Sequence, residues 1–101
     1  MEFDKSDIIK YRIEKSQTAL HEADYCLKQN SLHLAENRIY YSIFYLVSAL
    51  AEKDDFATSK HGQLLGWFNK NYVNAGIVDK KFGKIYVDAF EKDKKVIMTI
   101  L

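Results

Sequence analysis

The chain has no proline, only four glycines, a single cysteine and just two arginines among its 101 residues. A β-sandwich or an α/β fold of this length would need more turn residues than that. Long uninterrupted helices are what remains. One cysteine excludes an internal disulfide, and with no signal peptide the chain reads as cytoplasmic. Cys26 has no base beside it in sequence, which makes it a small buried or boundary residue. The longest apolar run, residues 39–51, falls short of the roughly 20 residues a bilayer span needs, so no membrane association is expected. His21, His33 and His61 have no metal-ligand spacing among themselves or with Cys26, and neither a metal nor another cofactor is expected. A strong charge of one sign is missing too. Net charge is +1, with −3 over residues 1–57 and +4 over residues 58–101. That asymmetry suits two solvated faces and is too mild to mark a nucleic-acid stripe.

What is present is apolar area. Hydrophobic residues make up 48% of the chain, enough for one globular domain over residues 1–101. The rest is organised around Asn37-Arg38-Ile39-Tyr40-Tyr41-Ser42-Ile43-Phe44-Tyr45. From Ile39 to Ala51 only Ser42 and Ser48 are polar, and a helix apolar nearly all round is buried on most sides. Tyr41→Ala or Phe44→Ala is therefore expected to cost roughly 3–5 kcal/mol. Arg38 stands at the head of this helix and must find a partner or reach a cleft, since an unpaired buried charge is too costly.

In chain order, Asp4 or Ser6 caps a first helix with Asp7 in its first turn. Ile9, Ile13, Leu20, Ala23 and Leu27 form its stripe, with Ser16 in the gap. Asn30 is a left-handed stop. The short link to Ser31 makes the first two helices an antiparallel hairpin. Lys53–Thr58 is a polar loop anchored by Phe56. Ser59 caps a third helix with Leu64, Leu65, Trp67, Phe68, Tyr72 and Val73 on its face, ended by Gly76. Ile77 and Val78 form an apolar plug. Asp79 caps a fourth helix with Phe82, Ile85, Tyr86, Ala89 and Phe90. The spacing predicts an all-α, antiparallel up-down four-helix bundle with helices at about 6–29, 31–52, 59–73 and 79–95.

The run Asn37-Arg38-Ile39-Tyr40-Tyr41-Ser42-Ile43-Phe44 resembles the second-helix signature of bacterial and archaeal HEPN domains. Lys60-His61-Gly62 resembles the opening of that family's third helix. Phe68 through Val78 resembles its helix end and turn, and residues 10–28 fit its first helix, so the likeness covers about residues 8–91. The resemblance implies a helical bundle, often a homodimer, encoded beside a small nucleotidyltransferase as toxin and antitoxin. It also implies metal-independent ribonuclease chemistry from an Arg and a His with four to six residues between them. A His can shuttle a proton near neutral pH, and an Arg can stabilise charge on phosphoryl oxygens.

The chain departs from that pattern. Beyond Arg12 the corresponding positions are Gln17, Thr18 and Ala19, and beyond Arg38 they are Ile43, Phe44 and Tyr45. Relatives commonly carry His where Tyr45 stands. A tyrosine with an ordinary pKa near ~10 is a poor base at neutral pH. It can still hydrogen-bond or stack. The resemblance thus implies a nucleotide- or RNA-contacting face of Asn37, Arg38, Tyr41 and Tyr45 with weak or absent ribonuclease activity. The alternatives are an active ribonuclease using Arg38 with Tyr45 or His61, and a purely structural dimerisation module. In the structural alternative Arg38 pairs with an acid such as Asp24 or Glu36. His21 and His33 are expected on the surface of the first hairpin. Lys80, Lys81 and Lys84 solvate helix four or meet phosphates.

From Lys92 the pattern stops. Residues 96–101 are apolar except Thr99, whereas HEPN proteins continue with a segment like Arg-Gln-x-x-Asp-Tyr-Asp and a further helix. Residues 92–100 can be written with the synonymous codons AAA GAC AAA AAG GTG ATT ATG ACG ATT, chosen to allow a second reading. Read from the last base of the first codon, they give Arg-Gln-Lys-Gly-Asp-Tyr-Asp-Asp. The expectation is a single-base deletion near codon 92, which makes 92–101 an aberrant tail and the domain a truncated one.

Overall fold

The computed structural model describes the backbone of residues 4–100 and the side chains of residues 4–94. Helix α1 spans Lys5–Lys28 and α2 spans Leu32–Lys53. Of the two possible caps for α1, Asp4 is used. Its carboxylate accepts the Asp7 N–H at 2.9 Å, and the Asp7 carboxylate accepts the Asp4 N–H at 3.4 Å. This reciprocal pair satisfies amides that have no partner inside the helix. Asn30 adopts φ 56°. That left-handed stop turns the chain at once into α2, which runs antiparallel to α1.

The seam between α1 and α2 keeps the small members of the expected stripe, Ser16 and Ala23, and loses large ones. The buried residues of α1 are Ser16, Ala19, Ala23 and Cys26, while Leu20 is 57% exposed and Leu27 49% exposed. Facing them on α2 lie Ala35, Ser42 and Ala49, all buried. Small side chains let the two backbones approach closely, and two serines lock them. Ser16 Oγ donates to the Ser42 carbonyl at 2.7 Å, and Ser42 Oγ donates to the Ser16 carbonyl at 2.9 Å. Each hydroxyl has thus left water only in exchange for a carbonyl partner. The larger apolar residues are displaced to the flanks.

Helix α2 is central, with α1 on one side and the remaining helices on the other. The core cluster joins its Tyr40, Val47 and Ala51 to Leu64, Phe68 and Tyr86. Tyr40 and Tyr86 are the largest fully buried side chains. Tyr41 and Phe44, expected to carry the core, are only half-buried and pack against this cluster.

Helix α3 spans His61–Phe68. It begins beside Tyr40 and Phe44 and leads toward the C-terminal end of α2, where Trp67 stacks on Phe56 at 5.0 Å. Ser59 does not cap it; the Lys60 N–H instead donates to Thr58 Oγ1 at 3.1 Å. Expected to run unbroken to residue 73, the helix widens into a π-helical turn over Asn69–Val73. There the Asn74 N–H reaches the Asn69 carbonyl, five residues back, at 2.8 Å. The Asn71 side-chain amide donates to the Trp67 carbonyl at 2.9 Å, competing with the ordinary helical bond. The widened turn lays the Phe68 and Tyr72 rings parallel, 5.9 Å apart.

Gly76, at φ 79°, ends the segment in a conformation that favours glycine. Val78 packs on the core, but Ile77 is 68% exposed and plugs nothing. Asp79 Oδ1 then accepts the Lys81 N–H at 2.9 Å and starts α4, Lys80–Ile100. Buried Gly83 lets α4 close on the π-turn, since a Cβ there would lie 2.9 Å from Val73 Cγ2. Helix α4 runs antiparallel to α2, placing Phe90 against Tyr40 and Asp93 against Asn37. Of the stretch read as an aberrant tail, Lys92–Lys94 continue this helix, and the apolar side chains 96–101 lie outside the described residues. No helix among the described residues is long and apolar enough to cross a membrane.

Candidate functional site

Helical spacing puts Arg38, Tyr41 and Tyr45 on one flank of α2, beside the seam with α1. The structure brings all three together. The Arg38 guanidinium lies over the Tyr41 ring, 5.3 Å from its centroid, and the Tyr41 and Tyr45 centroids are 6.0 Å apart. A cation over a tyrosine face is attracted by the ring quadrupole.

Asn37 sets the position of Arg38. Arg38 Nε and Nη2 both donate to Asn37 Oδ1, at 3.0 and 2.7 Å. The other half of the same amide, Asn37 Nδ2, donates to Asp93 Oδ1 at 3.0 Å. Chemistry fixes the orientation of this amide, because a guanidinium can only donate and a carboxylate can only accept. Asp93 is buried. A chain of polar contacts therefore runs from α4 through Asn37 to the guanidinium. Arg38 Nη1 also meets Glu22 Oε1 at 3.4 Å, so its acidic partner is neither Asp24 nor Glu36. Asp24 pairs with Lys28 instead, one turn along α1. The antiparallel register sets Glu22, not Asp24, opposite Arg38. The Arg38 side chain keeps 28% of its surface, so a ligand can reach it from solvent.

His61 joins the same group from α3. Its ring lies 6.1 Å from that of Tyr41 and 4.3 Å from that of Phe44. Its Nδ1 is 2.9 Å from the hydroxyl of buried Tyr40. One ring nitrogen is thereby committed to a core hydrogen bond, and only the other is left for chemistry.

The tyrosines are poor bases. Burial pushes the Tyr41 phenol above its usual range, Asp93 and Tyr45 add to the effect, and Arg38 opposes it. Burial also raises Tyr40, with Tyr86, Tyr41 and Asp93 contributing. Both hydroxyls stay protonated at neutral pH, where they donate hydrogen bonds and present ring faces. Among the described residues no three His, Cys, Asp or Glu side chains gather as a metal site would require. What the arrangement can do is hold an anion at Arg38 and a planar ring at Tyr41 or Tyr45.

Sequence reasoning did not identify Asp93, although it continues the α4 period of Phe82, Tyr86, Ala89 and Phe90. Nor did it find Tyr11 and Lys15 on α1. The Lys15 ammonium sits 5.7 Å from the Tyr45 centroid and 5.8 Å from that of Tyr11. Their i, i+4 spacing was the available signal.

Three relatives match the chain. A UPF0332 protein of Thermotoga maritima is 42% identical over 91 residues, covering 90% of this chain and 69% of its own length. A protein of Methanocaldococcus jannaschii named "Putative toxin" is 28% identical over 78 residues, 77% of this chain and 53% of its own length. A UPF0332 protein of Pyrococcus horikoshii is 24% identical over 95 residues, 94% of this chain and 66% of its own length. The chain thus spans between about half and two thirds of these relatives. No protein-family model matches it, and no solved structure does. Identity of 42% along nine-tenths of the chain, running through both helices that build the Arg38 flank, places this protein in the UPF0332 family.

Proposed function

We propose that this chain is a HEPN-type member of a toxin–antitoxin-like module, the partner of a small nucleotidyltransferase. In this reading it binds nucleotide or RNA through Asn37, Arg38, Tyr41 and Tyr45, forms a homodimer, and has weak or absent ribonuclease activity. The observation that carries the binding reading is Arg38 itself. Among the described residues it is the one arginine laid on an aromatic ring, it remains open to solvent, and Asn37 and Asp93 hold it in place. The M. jannaschii relative's name supports a toxin-like setting.

Ribonuclease action needs a base near the arginine; His21 lines a cleft with Arg38 and Glu22, and the candidate His61 has its Nδ1 tied to Tyr40. Its position beside Tyr41 keeps the active-ribonuclease reading as the second one. Incubating the protein with RNA in a metal chelator separates the two. The proposal expects retention of RNA on a filter, little cleavage, and about tenfold or greater weakening in Arg38→Ala, the scale of losing one charged hydrogen-bonding group. Rapid cleavage abolished by His61→Ala would favour the enzyme, and no binding at all would leave a structural module.

A further inference from the structure

We infer that the flank formed by Tyr11, Lys15, Tyr45, Tyr41 and Arg38 is a track for a single-stranded polynucleotide whose bases are splayed apart, and that Tyr11 and Lys15 of α1 belong to it. The inference rests on the nucleotide-binding reading above and extends its site across the helix seam.

The row runs ring, cation, ring, ring, cation, each member close to the next. Lys15 lies 5.8 Å from Tyr11 and 5.7 Å from Tyr45, Tyr45 lies 6.0 Å from Tyr41, and Arg38 lies 5.3 Å from Tyr41. Tyr11 is 59% exposed, so its ring contributes little to the core while offering a face to solvent. Aromatic faces that take successive bases, with cations for the phosphates between them, are how sequence-tolerant single-strand binders work.

Ring spacing argues against a stacked strand. Bases in a helix rise about 3.4 Å each. Tyr41 and Tyr45 are 6.0 Å apart and tilted by 43°, so neighbouring bases resting on them must already be unstacked. A duplex keeps its bases inside and presents sugars and phosphates, leaving the rings nothing to stack on.

Beside the row is a cleft of about 320 Å³ between Tyr11, Phe44 and Tyr45. The Arg12–Glu52 ion pair, 3.3 Å apart, forms part of its wall. This pair offers both donors and an acceptor to the edge of a base turned into the cleft. Cations are few along the track, so stacking rather than charge dominates. Two phosphate contacts give a salt slope of only about −1.4, at about −0.7 per contact for single strands.

The test is fluorescence anisotropy on the full chain with four probes: a ten-nucleotide single-stranded RNA, the same strand as DNA, the RNA duplex, and AMP. Tyr11→Ala and Lys15→Ala are exposed changes, and circular dichroism confirms that each variant folds. The single strand is expected to bind better than the duplex and better than AMP. Tyr11→Ala should weaken it about tenfold, a typical loss for one stacking platform. Lys15→Ala should reduce the magnitude of the salt slope by about 0.7. Comparable binding of the DNA strand supports the same track, since ring stacking does not read the 2′-hydroxyl. Strand binding that both variants leave unchanged overturns the α1 extension while sparing the Arg38 site. Equal or tighter duplex binding, or binding of AMP alone, overturns the track. Binding of no probe removes the nucleotide reading beneath it.

Discussion

The Asp93 carboxylate accepts a hydrogen bond from the Asn37 side-chain amide at 3.0 Å, and the oxygen of that amide holds the Arg38 guanidinium. Asp93→Ala is expected to leave a half-buried amide unsatisfied and to destabilise the fold by about 1–3 kcal/mol. It should also weaken RNA binding by freeing Arg38 from its set position. Asp93→Asn keeps an acceptor for Asn37 and should retain most of both. A thermal melt paired with a binding titration checks this, and equal behaviour of the two variants would mean that Asp93 acts through charge alone.

The two fully buried tyrosines should respond in opposite ways to loss of the hydroxyl. Tyr86 Oη is buried without a hydrogen-bond partner among the described residues, so Tyr86→Phe is expected to be neutral or to stabilise by up to about 1 kcal/mol. Tyr40→Phe breaks the bond to His61 and should cost about 1 kcal/mol. Chemical denaturation of both variants measures the contrast. Truncation to alanine should be costliest at Tyr40 rather than at half-buried Tyr41 or Phe44.

Alkaline stability follows from the same residues. Burial raises the Tyr40 and Tyr86 phenols above their unfolded values, with Tyr86 adding to the shift at Tyr40. The unfolded chain then releases these protons first as pH rises. The stabilisation is complete below the unfolded pKa of about 10 and is lost as pH climbs through it toward the folded values. Melting temperature should be insensitive to these groups up to about pH 9 and fall above about pH 10. The fall should be shallower in Tyr40→Phe and in Tyr86→Phe.

Gly83 lies where α4 closes on the π-turn. A methyl group there meets Val73 Cγ2 at 2.9 Å and Val73 Cγ1 at 3.1 Å. Gly83→Ala is expected to cost about 1–3 kcal/mol through overpacking, offset in part by better helix propensity. Val73→Ala in the same chain should recover part of the loss. Gly66→Ala, with nothing within 4 Å of the added carbon, should stabilise slightly.

Residue types that act through their own backbone were legible in the sequence. Asn30, Gly76 and Asp79 mark helix ends because their conformational or capping preference does not depend on distant contacts. The Arg38–Tyr41–Tyr45 row was legible because helical spacing alone fixes it. The bulky part of the α1 stripe was misjudged, at Ile13, Leu20 and Leu27, because amphipathic reading rewards bulk. Ser16, Ala19, Ala23 and Cys26 are buried for being small, and what they pack against is set by α2. The break at Asn69 depends on an Asn71 side chain capturing a carbonyl, which periodicity does not register. Glu22 emerged as the partner of Arg38 only once the register of the hairpin was known. Asp93 was hidden because the stretch from Lys92 reads as foreign to the fold, and its value lies in a contact 56 positions away.

Ultraviolet cross-linking of bound single-stranded RNA, followed by mass spectrometry of the linked peptides, tests the central claim most directly. The account predicts links at Tyr41 and Tyr45 on α2, lost when Arg38→Ala removes the anion contact. Links confined to the lysine face of α4 around Lys80, Lys81 and Lys84, with none on α2, would contradict it.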